Sequence, residues 1–502
     1  MSISRRRFLQ GTVALPLASV LPLGTGCADA ADPDPVAFLH GVASGDPTST
    51  AVILWTRVTT PTPAEPVEVA WEISADDFAT TAAAGVVTTD ASRDFTVKLD
   101  ATGLTPGTTY RYRFTALGET SVAGRVRLPA AGATASLRLG VVSCSSLAHG
   151  YFHCYRALAA QDVDAVVHLG DYIYEYGTGE YGDVRPYQPA HEALTLDDYR
   201  ARYAQYRGDP DLQAIHAAHP FIPVWDDHEV ADNAYAGGAN NHQPDTEGPF
   251  SARLMAAAQA YREWMPIRDS ADGHIYRQLG FGDLVDLFML DTRLIGRDVQ
   301  SDVGGPPIDD PARTLLGAVQ EAWLAEVLPA STATWRLIGQ QVMMGQLPQF
   351  VNPDAWDGYP AARTRFFDLL EQAQVDDVVV LTGDIHSSWA MDLARDPADV
   401  AAYDPATGRG SLAVELVTPA ISSPGLPESF ADTVASRLAE NRHLKFAEVS
   451  RRGFVILDID HARVRGTFFH LTEAELIDPT PADPVQAAQV EVARGTARWV
   501  KQ

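Results

Sequence analysis

The sequence predicts an α/β protein: a layered body of buried strands and flanking helices, preceded by a small all-β sandwich domain. Three observations carry this. From Ser136 onward, near-continuously apolar runs (LRLGVVS, VDAVVHLG, PFIPVWD, VDLFMLD, WRLIGQ, VDDVVVLTG, LAVELVT) alternate with stretches of helical length and spacing. Strands apolar on both faces are buried between other layers. Between about Val36 and Pro129, short runs alternate in hydrophobicity and are separated by turn clusters, the pattern of strands with one face in a core. A chain of 502 residues also has room for about two to four domains.

The elements come in order along the chain. In residues 1–30, Arg5, Arg6 and Arg7 precede an apolar stretch from about Gly11 to Leu23, and Ala28-Asp29-Ala30 offers small residues at a cleavage position. The opening Ser4-Arg5-Arg6-Arg7-Phe8-Leu9 looks like a twin-arginine export signal, S-R-R-x-F-L, whose route carries folded proteins. Cys27 offers an alternative use of this end as a lipid-attachment site, although Gly24 stands where such sites usually have Leu. Residues 31–130 form the small β domain, through AVILWTRV, VEVAWEIS, FTVKLDATGL, TYRYRFTAL and GRVRLP, and LDATGLTPGTTYRYRF resembles a fibronectin type III domain. Ala130-Ala131-Gly132-Ala133 reads as a linker. The catalytic domain spans residues 131–475, with helices expected over Leu196–Ala218, Ala252–Met265, Leu315–Leu328 and Ala361–Gln374. GFVILDIDHARVRGTFFHL closes it as a β-hairpin, and residues 476–502 are expected to be a C-terminal helix or tail, helical from Pro484 to Val500.

Composition narrows the function. The 38 Lys and Arg against 65 Asp and Glu leave a formal charge of −27, a surface that repels nucleic acid, so no nucleic-acid partner is expected. No stretch after the signal approaches 18 uninterrupted apolar residues, so no transmembrane anchor is expected. Cleavage after Ala30 leaves Cys144 and Cys154, too few for a disulfide framework in an exported chain. The expectation is a monomer that is secreted, periplasmic or at the cell surface.

Ligands in α/β sheets gather beyond the carboxyl ends of strands. Four such ends are rich in metal-competent groups: Cys144 after LRLGVVS; Asp171, with Tyr172 and Tyr174, after VDAVVHLG; Asp226, Asp227, His228 and Glu229 after PFIPVW; Asp384 and His386 after VDDVVVLTG. Singly, each has a plainer explanation. A Gly-Asp pair after a strand is commonly a turn or helix cap, and Cys144 alone is a small buried hydrophobe or half of a bridge to Cys154. Together they place carboxylates, imidazoles and a thiol at one edge, which is how a multi-metal site is assembled from distant segments.

HGVASGDPTSTAVILWTRV, SCSS, HLGDYIYEYG, PVWDDHEVADN, LDTR, WDGYP, TGDIHSSW and ELVTPAISSP, in that order, resemble the blocks of PhoD-type alkaline phosphatases, relatives of the metallophosphoesterases. The resemblance covers nearly the whole chain after the signal. It implies a layered metallophosphoesterase-like β-sandwich core flanked by helices. It also implies a ferric ion (Fe3+) held by a thiolate, an aspartate and a tyrosinate, matching Cys144, Asp171 and Tyr174, with calcium (Ca2+) beside it. Asp171 would bridge metals, and Asp227, Asn233, Asp384 and His386 would supply the remaining ligands.

The activity that the resemblance implies is that of an exported, metal-dependent phosphatase, which hydrolyses phosphate monoesters and diesters by in-line attack of an oxygen held at the metals. His228 would steady the transition state or protonate the leaving alkoxide, with Asp171 the other catalytic residue. Arg200, Arg293 and Arg363 are the candidates for contacting phosphate. A phospholipase D-like diesterase on the same centre is the enzymatic alternative, and a non-catalytic surface-binding protein the alternative of a different class.

Overall fold

A computed structural model describes residues 37–347, 351–429, 431, 436 and 440–502. The expected signal and Cys27 lie outside the described residues. The N-terminal unit runs through β1 (Val42–Gly45), β2 (Ala51–Arg57), β3 (Val67–Ser74), β4 (Ala83–Thr89), β5 (Thr96–Thr102), β6 (Thr109–Ala116), β7 (Glu119–Thr120) and β8 (Gly124–Arg127). Strand β6, TYRYRFTA, buries Tyr110, Tyr112, Phe114 and Ala116 on alternate positions, as a period of two requires. These side chains meet Val52, Leu54 and Val97 from β2 and β5 in a core of their own.

The body continues with β9 (Ser136–Val142), α1 (His153–Ala159), β10 (Ala165–His168), α2 (Leu196–Arg207), α3 (Pro210–Ala218), β11 (Phe221–Pro223), α4 (Pro244–Glu247) and α5 (Phe250–Trp264). Next come β12 (Arg277–Phe281), β13 (Val285–Met289), α6 (Gly317–Ala330), β14 (Trp335–Gln340), α7 (Pro360–Gln372), β15 (Val378–Thr382), β16 (Ser388–Ala394) and β17 (Ser411–Val417). The chain ends through β18 (Leu444–Glu448), β19 (Arg452–Asp460), β20 (Arg463–Leu471), α8 (Glu473–Ile477), β21 (Val485–Ala493) and β22 (Val500–Lys501).

Two mixed sheets make the body. One has the order β22-β21-β20-β19-β9-β10-β11-β1-β2-β5 and the other β12-β13-β14-β15-β17-β16-β18. Strands β9, β10 and β11 are mutually parallel, as are β13, β14, β15 and β17, so the carboxyl ends within each set fall on one edge. Leu139, Val141 and Val167 from the first sheet share a core with Leu337, Leu381 and Leu416 from the second. The outer face of the second sheet is covered by α6 and α7 through Leu324, Leu328, Phe366 and Leu370. At the shared edge, Ser143 pairs with Ala420, which ties the two sheets together where the ligand-rich ends lie.

Three sequence expectations need correction. The helix expected over Leu196–Ala218 is two helices, because Gly208-Asp209-Pro210 interrupts it: Pro210 cannot continue the hydrogen-bond ladder, and the Asp209 carboxylate caps α3 by accepting from the Asp211 and Leu212 amides. The C-terminal segment is strand, not helix or tail. Ala488, Val490 and Val492 alternate inward and β21 pairs antiparallel with β20, extending the large sheet. The β domain is not a separate sheet system either, since β1 pairs in parallel with β11 and carries β2 and β5 into the large sheet.

Candidate metal centre

Five of the seven expected ligands sit just past a buried strand. Cys144 follows β9, Asp171 follows β10, Asp227 follows β11, and Asp384 and His386 follow β15. The strand ends approach closely: a Cβ at Gly170, whose φ is +101°, would stand 2.3 Å from the Asp226 Cβ, so only glycine lets the β10 and β11 ends meet. Cys144, Asp171, Asn233, Asp384 and His386 all have positive φ, between 54° and 61°. The left-handed region costs a non-glycine residue roughly 1–2 kcal/mol, and such strain gathers at functional sites. Here it falls on five of the seven expected ligands.

The side chains converge. Atoms of Cys144, Asp171 and His386 lie within 4.8 Å of one another, as do those of Asp171, Asp227 and His228, and those of Asp226, Asp227 and Asp384. The Tyr174 hydroxyl donates to Asp171 Oδ2 at 2.9 Å, lies 3.2 Å from His386 Nε2, and accepts from the Ser423 hydroxyl at 2.6 Å. His386 Nδ1 faces the Pro424 carbonyl at 2.9 Å, which leaves Nε2 toward Asp171. Cys144 and Cys154 are both buried free thiols, so there is no bridge between them. Asn233 joins through its backbone, its N–H donating to Asp227 Oδ2 at 2.6 Å.

Burial pushes the Cys144 thiol, the Asp171 carboxyl and the Tyr174 phenol well above their usual ranges, and the Asp171 charge raises the thiol and the phenol further. Asp227 is held below the usual carboxylate range: burial opposes this, but Arg293 and His228 outweigh it. Oδ2 of Asp226 and Oδ1 of Asp227 are buried and accept no hydrogen bond. Buried carboxylate oxygens without donors, beside a thiol, a phenol and imidazoles, fit a site for cations, whose charge would restore the ionised forms.

His228 is fixed independently. Its Nδ1 lies 2.7 Å from Glu175 Oε2, both side chains are buried, and Glu175 Oε1 accepts from the Asp232 amide and the Asn241 side chain. Burial alone would lower the His228 pKa, but Asp227, Glu175 and Asp171 together raise it well above the usual imidazole range. Sequence reasoning passed over Glu175, whose one signal was an acid inside the otherwise apolar and tyrosine-rich YIYEY. Glu229 lies beneath the centre, its carboxylate accepting from the Asp171, Tyr172 and Asp226 amides and so joining the β10 and β11 ends.

Of the three arginines, the structure brings only Arg293 into the cluster, where it meets Asp226, Asp227, Asp354 and Asp384. Arg200, on α2, pairs with Glu263 and donates to the Ser92 carbonyl. Arg363, on α7, pairs with Asp357 and the Met344 carbonyl. Neither partner set includes a residue of the cluster.

Two facing mixed sheets thus carry this acid, imidazole, thiol and phenol edge. The profile of the PhoD-like phosphatases matches residues 139–468, and that of the PhoD-like phosphatase N-terminal domain matches residues 25–130. Alkaline phosphatase D of Bacillus subtilis (strain 168) is 37% identical over 488 residues, covering 90% of this chain and 82% of the relative. A solved structure of PhoD superposes with a TM-score of 0.85 at 34% identity, covering 94% of this chain and 93% of that one. The chain belongs to the PhoD-like phosphatase family.

Proposed function

We propose that this protein is an exported, metal-dependent alkaline phosphatase acting on phosphate monoesters and diesters. The observation that carries the reading is the convergence of Cys144, Asp171, Tyr174 and His386, from three separate strand ends, within hydrogen-bonding or near-ligand distance of one another. Thiolate and phenolate donors suit a ferric ion, so Cys144, Asp171 and Tyr174 would hold iron. Asp227, Asn233, Asp384 and His386, with Asp171 shared, form an oxygen-rich side suited to calcium. When bound, such ions neutralise the oxygens of the transferred phosphoryl group and acidify the attacking water.

The remaining steps belong to this chain's own side chains. Glu175 accepts from His228 Nδ1 and so fixes the ring, leaving the Nε2 proton for the leaving-group oxygen. Asp171, its backbone N–H held by Glu229, keeps both oxygens directed into the cluster. Direct in-line displacement on phosphorus, without a phosphorylated intermediate, is the reading.

Residues 1–30, whose Ser4-Arg5-Arg6-Arg7-Phe8-Leu9 opening resembles a twin-arginine export signal, support the reading of passage through that machinery after folding. Among the described residues no helix is long and apolar enough to cross a membrane. The N-terminal unit reads as fibronectin III-like, supported by its strand orders β1-β2-β5 and β4-β3-β6, with β8 beside β6. The test is one substrate panel: rates on an aryl monoester, a simple diester and a phosphatidylcholine dispersion, before and after chelation. Chelation-sensitive hydrolysis of the first two is expected. Activity on the phospholipid alone would replace the reading with a phospholipase D-like one, and no hydrolysis of any would end it.

A further inference from the structure

The Asp226, Asp227 and Asp384 carboxylates stand close enough together to repel strongly, yet they already surround a cation of the chain's own. Arg293 Nε donates to Asp226 Oδ1, Nη1 to Asp354 Oδ2 at 2.7 Å, and Nη2 to Asp384 Oδ1 at 3.0 Å, with Asp227 Oδ1 3.5 Å from Nη2. All three guanidinium nitrogens are engaged and the side chain is fully buried. Asp354 is itself locked, accepting at Oδ1 from Arg297 Nη2 and Gln300 Nε2, each at 2.6 Å. The Asp291 carboxylate accepts from the Arg293 backbone N–H at 2.9 Å, which fixes the base of the side chain as well.

We propose that Arg293 is a positioning residue for the metal centre: anchored on Asp226 and Asp354, its guanidinium holds the Asp384 carboxylate by a hydrogen bond and the Asp227 carboxylate by charge alone, 3.5 Å from Oδ1, so that both face calcium, and it does not bind phosphate. The rigid planar fork is what this role requires, because one group must face several carboxylates in set directions. A lysine in its place supplies equal charge from a single point. A phosphate ester arriving from solvent would have to break at least one buried ion pair to reach this guanidinium. The inference rests on the proposed calcium side of the centre.

The experiment compares the holoenzyme with Arg293→Lys and Asp354→Asn. Asp354 is outside the proposed ligand set; its variant reaches the centre through Arg293 and, by way of Gln300, through the Asn233 carbonyl, and it keeps the test available should the first variant not fold. Chelated protein is titrated with calcium and followed by its melting temperature, while kcat, KM and inhibition by inorganic phosphate are measured on the loaded enzyme. Loss of outer contacts to metal ligands typically costs 10- to 100-fold in affinity or activity, and a calcium midpoint raised by about that factor is expected in both variants. KM and phosphate inhibition should stay near wild type. A rise of tenfold or more in KM and in the phosphate inhibition constant with an unchanged calcium midpoint would make Arg293 a phosphate ligand and overturn the proposal. An unchanged midpoint in Asp354→Asn overturns it too. A wild-type protein that binds no calcium removes the underlying reading and this proposal together, and is recognised without any variant.

Discussion

Asp384→Asn separates metal chemistry from local structure with a change of one charge. Asp384 follows β15, more than 200 residues from Asp171, and its Oδ1 accepts from Arg293 Nη2 at 3.0 Å. An asparagine amide oxygen can still accept that bond, and Arg293 keeps Asp226 and Asp354. The cost to folding is therefore the difference between a charged and a neutral acceptor, about 1 kcal/mol, or a melting shift of about 2 °C. Activity depends instead on the net charge offered to cations. Losing one of the few anionic ligands is expected to lower kcat at least ~100-fold, about 2.7 kcal/mol in the barrier. The assay is kcat on an aryl phosphate with metal content by elemental analysis, in protein whose melting curve shows it to be folded. Near-normal kcat and bound metal would show that this strand end only caps a turn, and the reasoning would fail.

Tyr174→Phe should bleach a tyrosinate-to-iron absorption band from a coloured wild-type protein; a colourless, iron-free and fully active wild type refutes the ferric assignment. A calcium-selective chelator should abolish activity, with added Ca²⁺ restoring it and iron retained, whereas full activity after exhaustive treatment excludes calcium from the reaction. Trp499→Ala should destabilise the fold by about 3–5 kcal/mol in denaturant titrations, because the buried indole donates to the Glu415 backbone carbonyl at 2.9 Å; a loss below about 1 kcal/mol would mean the segment between β21 and β22 is not integral. Burial lowers His168 to about 3 and His443 and His470 to about 4. The unfolded chain therefore binds more protons below pH ~6.5, so this stability is present above ~6.5 and lost as pH falls toward 4, by roughly 3 kcal/mol per imidazole. A denaturation midpoint constant between pH 7.5 and 5 would contradict it.

By itself the sequence determined most of the strands, most of the helices and the four strand ends that carry acids, imidazoles and the thiol. Apolar periodicity is a local property: VDDVVVLTG has no sensible place except inside a layered sheet, and Asp384 must then lie at its carboxyl edge. Pro210 was a local signal as well, and it splits the helix where its missing N–H requires. The tertiary structure decided which groups become partners. Arg200, Arg293 and Arg363 look alike along the chain, yet one is enclosed by carboxylates from segments 61 to 91 residues away while the others pair elsewhere. Glu175 reaches His228 across 53 residues, and β21 reads as tail until β20 offers it an edge to pair with. Such pairings depend on how the two sheets close on each other, and burial gives a charge its energy only once that closure has removed the water around it.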